Sequence, residues 1–255
     1  MTLPSTLPKS TLYRAEGIIL RHRPLGEADR LVIFYTKEAG KLRASGRGVK
    51  KTTSRLAGHI EPLTHVSLLL VKGKNLDIIS QAQTLHSFPP LRDDLRRMAR
   101  ALYAAEMVDL FTEEQEPHPE VFTLFLETLH LLATSADHDR MLHRFEIQFL
   151  GQMGYEPRLS ACSICGRAPS ATPVFSALWG GLLCPECAPR DQQARPLTPG
   201  DVAALSMLLR GRIEEVQRTE ILEKRRKTLA GLLRWYTQHI IERPVQSGMF
   251  LDAVG

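Results

Sequence analysis

The sequence predicts an α+β, multidomain chain: a small β-barrel at the N-terminus, then a helical domain interrupted by a four-cysteine module. Three observations carry that reading. The first 85 residues alternate short apolar runs with turn signals, the apolar period becomes helical after Pro89-Pro90, and all four cysteines lie between Cys162 and Cys187.

The runs AEGIILRH (15–22), RLVIFYT (30–36), GKLRASG (40–46), LTHVSLLLV (63–71) and LDIISQA (76–82) read as strands, the last two joined by the turn-like KGKN. Five antiparallel strands of this spacing, with a basic loop, fit the OB-fold, whose barrels bind nucleic acid across one strand face and the adjoining loops. Phe34 and Tyr35 alternate on one strand, so only one can face outward, and both are expected in the core rather than as stacking platforms, as is Tyr13. Beyond the prolines, DDLRRMARALYAAEMVDLF (93–111) places Leu95, Met98, Leu102 and Ala105 on one stripe. In 121–132, Phe122, Phe125, Leu129 and Leu132 share a face, and 140–154 forms a third helix with Gly154 as its stop. Helix resumes over 197–211, with Asp201 near its start, and a last long helix covers 220–241 and is ended by Pro244. The expected division is 1–86 barrel, 87–157 helical, 158–195 cysteine module and 196–255 helical.

The chain has 255 residues, 43% hydrophobic and 24% charged, enough to build a core without covalent staples. Its N-terminus lacks the apolar stretch of a secretory signal, and its longest apolar run, 66–71, is far too short to span a bilayer. A soluble cytoplasmic protein with no membrane role is expected.

That compartment bears on the cysteines. Reducing cytosol argues against a disulfide framework, and a redox C-x-x-C would need a βαβ context that the flanks do not supply. Two C-x-x-C pairs, Cys162/Cys165 and Cys184/Cys187, separated by 18 residues, predict one zinc ion held by four thiolates. Such a site has no open position for water and is structural. Between the pairs, 173–175 and 182–183 read as a hairpin turning near Gly180-Gly181. Trp179 either stacks under the ion or meets a partner; packing is the expected role.

Net charge is +5, unevenly spread: residues 1–85 carry 14 basic and 6 acidic residues, the other 170 carry 19 and 22. Within 41–60 lie Lys41, Arg43, Arg47, Lys50, Lys51 and Arg55, with no acidic residue. A solvated face is the plain reading, but six like charges repel one another and a polyanion relieves them, so a flexible phosphate-binding loop is expected.

No catalytic signature is found: no phosphate-cradling glycine loop, no H-E-x-x-H, no G-x-S-x-G, and nine scattered histidines. His130 reads as a helix-face or core histidine, and acidic pairs sit at helix ends. A binding protein, not an enzyme, is expected.

The chain resembles RecO, the bacterial recombination mediator family. The resemblance runs through EGIILRHRPLGEADRLVIFYTKEAGKLRASGRGVKK (16–51), RLAGHIEPLTHVSLLLVKGKNLDIIS, FLGQMGYEPRLSACSICGR, WGGLLCPEC and HIIERPVQSGMFL, nearly the whole chain in order. The first 14 residues look like an added leader. The resemblance implies an OB-fold, a helical domain and, in many members, a zinc module. It implies binding of single- and double-stranded DNA, strand annealing, and work with RecR and often RecF to load RecA onto strands coated by single-strand-binding protein. Some members bind that protein's acidic C-terminal tail in a helical-domain pocket. A cytoplasmic, nucleoid-associated protein follows. On this reading Lys41, Arg43, Arg47, Lys50, Lys51 and Arg55, joined by Arg21, Arg23, Lys72 and Lys74, form a basic face that lowers repulsion between two strands without reading bases. Two other classes stand beside it: a protein–protein adaptor with an incidental basic loop, and an RNA-binding OB-fold factor.

Overall fold

In the computed structural model the described residues are 12–168, 171–243 and 245–254. Most of the leader, and Pro244 as the helix stop, lie outside them. The chain divides into two compact units, Met1–Pro89 with Thr112–Leu126, and Pro90–Phe111 with Glu127–Gly255.

The first unit is built on β1 (Leu12–Leu25), β2 (Asp29–Thr36), β3 (Gly40–Gly46), β4 (His65–Val71) and β5 (Asp77–His86). They form a closed barrel in the order β1-β2-β3-β5-β4, the expected OB-type architecture. β1 begins at Leu12, earlier than expected, because its first half pairs with β4 while its second half pairs with β2. Gly17 sits where β1 serves both ladders; a Cβ there would meet the Tyr35 carbonyl oxygen at 3.0 Å. A register shift between Ile19 and Arg21 bends the strand, as barrel closure requires. The last seam is short: β3 and β5 pair in parallel only at Ala44–Asp77 and Ser45–Ile78.

Strict alternation fills the barrel. Val66, Leu68 and Leu70 of β4 point inward with Ile19, Val32, Phe34, Leu42, Ala44 and Ile79. Phe34 and Tyr35 are both fully buried, as expected of core aromatics. Tyr35 points away from the barrel interior, yet its hydroxyl meets the backbone of His118, accepting from the N–H at 3.2 Å. The segment 112–118 therefore covers the outside of the sheet.

The second unit is helical: α1 (Pro89–Asp93), α2 (Leu95–Phe111), α3 (Pro119–Thr134), α4 (His138–Gln152), α5 (Pro199–Arg210), α6 (Ile213–Arg218), α7 (Glu223–Ile241) and α8 (Gln246–Val254), with α1 and α3 running from the first unit into it. Pro89-Pro90, a turn signal in the sequence, opens α1, where prolines at the first turn lose no hydrogen bond. α4 is the hub, packed on α2, α5 and α7, and its Phe145 and Phe149 stack at 5.3 Å. Gly154 at φ +86° follows its end, as expected of a left-handed stop. α5 is opened by a capping box in which Thr198 and Asp201 exchange side-chain and backbone bonds. Two further helices besides α1 were not expected: α6 splits off before the long helix, which starts at Glu223, and α8 follows it against α2.

Candidate nucleic-acid interface and metal centre

β3 alternates Gly40, Leu42 and Ala44 inward with Lys41 and Arg43 outward. Opposite them the β4–β5 turn carries Lys72 and Lys74, and the four cations line one cleft of about 320 Å³. The turn is pinned from below. Asp77 accepts from the Gly73 N–H at 3.0 Å, from Lys72 Nζ at 3.3 Å and from the Tyr13 hydroxyl at 2.5 Å. Burial alone would raise the Asp77 carboxyl, but these three donors bring it below its ordinary value. Gly73 is obligatory, since a Cβ would lie 1.9 Å from the Leu76 carbonyl oxygen.

Three of the cleft cations are already engaged, Lys72 by Asp77 and two by the segment after α2. Lys41 Nζ donates to the Thr112 carbonyl at 2.6 Å, and Arg43 Nε pairs with Glu114 at 2.7 Å. The other expected cations lie elsewhere on the barrel. Arg47, Lys50, Lys51 and Arg55 are all exposed on the loop after β3. That loop is a series of hydrogen-bonded turns folded onto the β1–β2 turn: the Lys50 N–H donates to Ala28 O, the Gly48 N–H to Asp29, and Lys50 Nζ to Gly26 O. Among the described residues Arg47, Lys51 and Arg55 make no ion pair. Arg21 and Arg23 lie on β1 opposite Ile33 and Leu31 of β2. The ten expected cations thus form a cleft group, a loop group and a β1 pair. Sequence reasoning missed Asp77, Tyr13 and the 112–118 segment; only the clustered acids of TEEQEP hinted at the last.

In the second unit the four cysteine Sγ atoms lie within 4.8 Å of one another. The first pair sits on a turn in which the Cys162 N–H donates to Arg167 O and the Gly166 N–H to Cys162 O. The second follows β7 (Gly181–Leu183), which pairs with β6 (Val174–Ser176), itself paired with the short β8 (Arg195–Pro196). Cys165 and Cys184 sulfurs are 3.7 Å apart, against about 3.8 Å for two thiolates at the 2.3 Å zinc–sulfur length in a tetrahedron. No disulfide forms, and the donor set suits a tetrahedral metal ion. Burial would raise the Cys162 thiol, but backbone donors around it draw it down to about 6, in favour of the metal-binding thiolate. Three of the cysteines are buried and Cys165 is exposed. Trp179, expected to pack, is instead 44% exposed beside Leu178 at the hairpin tip. The module is held to α7 by Phe175 against Tyr236 and Trp235, and by Arg195 over the Trp235 ring at 4.2 Å.

A closed five-stranded OB-type barrel bearing clustered cations, followed by a helical unit with a four-thiol centre, defines the class. The comparisons give the family. Residues 10–88 match the model for the recombination protein O N terminal and 92–249 that for its C terminal. The chain is 41% identical over 247 residues to the DNA repair protein RecO of Roseiflexus sp. (strain RS-1), covering 96% of this chain and 87% of that one. It is 33% identical to the DNA repair protein RecO of Desulforamulus reducens, with 94% of each covered, and 34% identical to that of Pelotomaculum thermopropionicum, with 96% and 95% covered. The chain belongs to the RecO family of DNA repair proteins, as its sequence resemblance anticipated. No helix among the described residues is long and apolar enough to cross a membrane.

Proposed function

We propose that this protein is a non-catalytic recombination mediator of the cytoplasm and nucleoid. It binds single- and double-stranded DNA, anneals complementary strands and, with RecR and RecF, promotes loading of RecA onto strands coated by single-strand-binding protein. The observation that carries this reading is the gathering of Lys41, Arg43, Lys72 and Lys74 around one barrel cleft, in a unit that also presents the exposed loop of Arg47, Lys50, Lys51 and Arg55. Arg21 and Arg23 extend the basic face. Two phosphate backbones repel each other; a surface that neutralises both lets bases pair without reading them. The proposed working division follows the expected boundaries, with 1–86 as the DNA-binding domain.

One structural zinc at Cys162, Cys165, Cys184 and Cys187 would hold the hairpin of residues 158–195 to the helices. For the acidic tail of single-strand-binding protein, the helical unit offers a cleft with Arg100, Arg226, Lys227 and Arg234 beside Leu142 and Leu251, where the tail would compete with Asp139 and Glu223 of the same lining for Arg100 and Lys227. An adaptor role has one observation in its favour, the exposed Leu178-Trp179 tip.

The test is annealing of two complementary dye-labelled oligonucleotides over a salt series, with and without single-strand-binding protein. Acceleration at low salt that fades as salt rises is expected. No acceleration by folded, zinc-loaded protein would favour the adaptor.

A further inference from the structure

The cleft contains its own anion. Residues 112–118 run along the outer edge of β3 and are fixed there by the backbone. Glu114 bridges to Lys41 in parallel fashion, and the Gln115 N–H donates to the Lys41 carbonyl at 3.0 Å. Gln115 then takes a left-handed conformation, φ +61°, which turns the chain away at once. The segment lies so close that a Cβ on Gly40 would meet the Glu116 carbonyl oxygen at 2.1 Å. The Glu114 carboxylate is thereby held over β3 against Arg43, and the Thr112 carbonyl occupies Lys41. Both partners of the ion pair are about half exposed, 50% and 40%, so water and other anions reach it.

We infer that Glu114 sets the DNA affinity of the barrel by standing in for a phosphate on Arg43, which an incoming backbone must displace. The inference rests on the reading of the barrel as the DNA-binding surface. A carboxylate and a phosphate oxygen offer a guanidinium the same acceptor geometry. Displacement needs only a side-chain rotation, because the hydrogen bonds that hold the segment are made by its backbone and not by Glu114's carboxylate. The exchange keeps binding weak enough for a strand to leave once paired. The exposed ion pair contributes little to folding, so its removal leaves the barrel intact.

The test measures binding of a fluorescent single-stranded oligonucleotide to wild type, Glu114→Gln, Glu113→Gln and Arg43→Gln, and to Glu114→Gln combined with Arg43→Gln, over a salt series, with thermal melts as a fold control. Glu114→Gln is expected to bind several-fold tighter at about 50 mM salt. Its log affinity against log salt should be steeper by about 0.7, one further phosphate neutralised. The gain should vanish in the Arg43→Gln background, and Glu113→Gln, which removes the same charge without freeing Arg43, should give less than half of it. Wild-type binding with an unchanged or weaker Glu114→Gln overturns the inference and leaves the barrel reading standing, as does an equal gain from Glu113→Gln. Absence of salt-dependent binding by wild type and every variant overturns both.

Discussion

The barrel and the cysteine module reach order by opposite routes. In the barrel, five strands close on themselves and bury a continuous core from Ile19 to Ile79, so each hydrogen-bonded strand also contributes apolar area. In the module, the strands are three, three and two residues long, and three of the four buried residues in its own cluster are cysteines: Cys162, Cys184 and Cys187, with Leu183. There the ligands are the core. The difference teaches where each property of the protein resides. The barrel can carry a dense positive charge on its surface because its fold does not depend on that surface. The module exposes Leu178 and Trp179, and its own buried cluster consists mostly of thiols that a metal ion would join.

The sharpest way to break this contrast is to remove the metal. A strong chelator, or Cys162→Ser, should cost the second unit several kcal/mol, since structural zinc can supply on the order of 10 kcal/mol to a small module. The melting temperature should fall by about 10 °C or more in calorimetry. DNA affinity measured below the transition should change less than about twofold, because the basic groups lie in the other unit. An unchanged melting temperature would mean that the helices alone hold the hairpin. A parallel collapse of DNA affinity would mean that the two regions are not separable.

A smaller effect sharpens the barrel side. Asp77 and Glu61 both sit below the ordinary carboxylate range: burial would raise each, and their donors outweigh it. A carboxyl whose folded value is depressed adds stability that is fully present above the unfolded value, about 4, and is lost as pH falls through the folded value. Melting temperature should therefore drop between about pH 5 and pH 3, and Asp77→Asn should flatten part of that drop while leaving the metal response unchanged. An identical pH profile in the variant would remove Asp77 from the account of the β4–β5 turn.

Much of this was legible in the sequence, for reasons of range. The two C-x-x-C pairs are local, and their spacing alone announces a four-thiol site. The barrel strands could be read because alternation such as that of Val66, Leu68 and Leu70 is written within each strand. Three features were not legible. α6 and α8 are short, and their boundaries depend on tertiary packing. Trp179 looks like any core aromatic, and only the hairpin geometry turns it outward. The 112–118 segment has no period at all: its place on β3 is fixed by backbone bonds to Lys41 and by the Gly40 contact, and only there does Glu114 meet a residue 71 positions away. A run of acids before a helix reads as solvation until its target is seen. The same limit applied to the basic residues of 41–55, which form one block in sequence but separate in space into Lys41 and Arg43 of the cleft and the exposed cations of the loop.

The measurement that bears most directly on the central claim is the salt dependence of single-strand binding by wild type and by the double reversal Lys50→Glu, Lys51→Glu, both zinc-loaded and with equal melting temperatures. Neutralisation of about six phosphates predicts a wild-type slope of about −4 in log affinity against log salt. The reversal should weaken binding at least about tenfold at 50 mM salt, alike for every oligonucleotide sequence, and should make the slope shallower by at least about 1.4. Equal affinity and equal slope in the two proteins would contradict the assignment of DNA binding to the basic barrel.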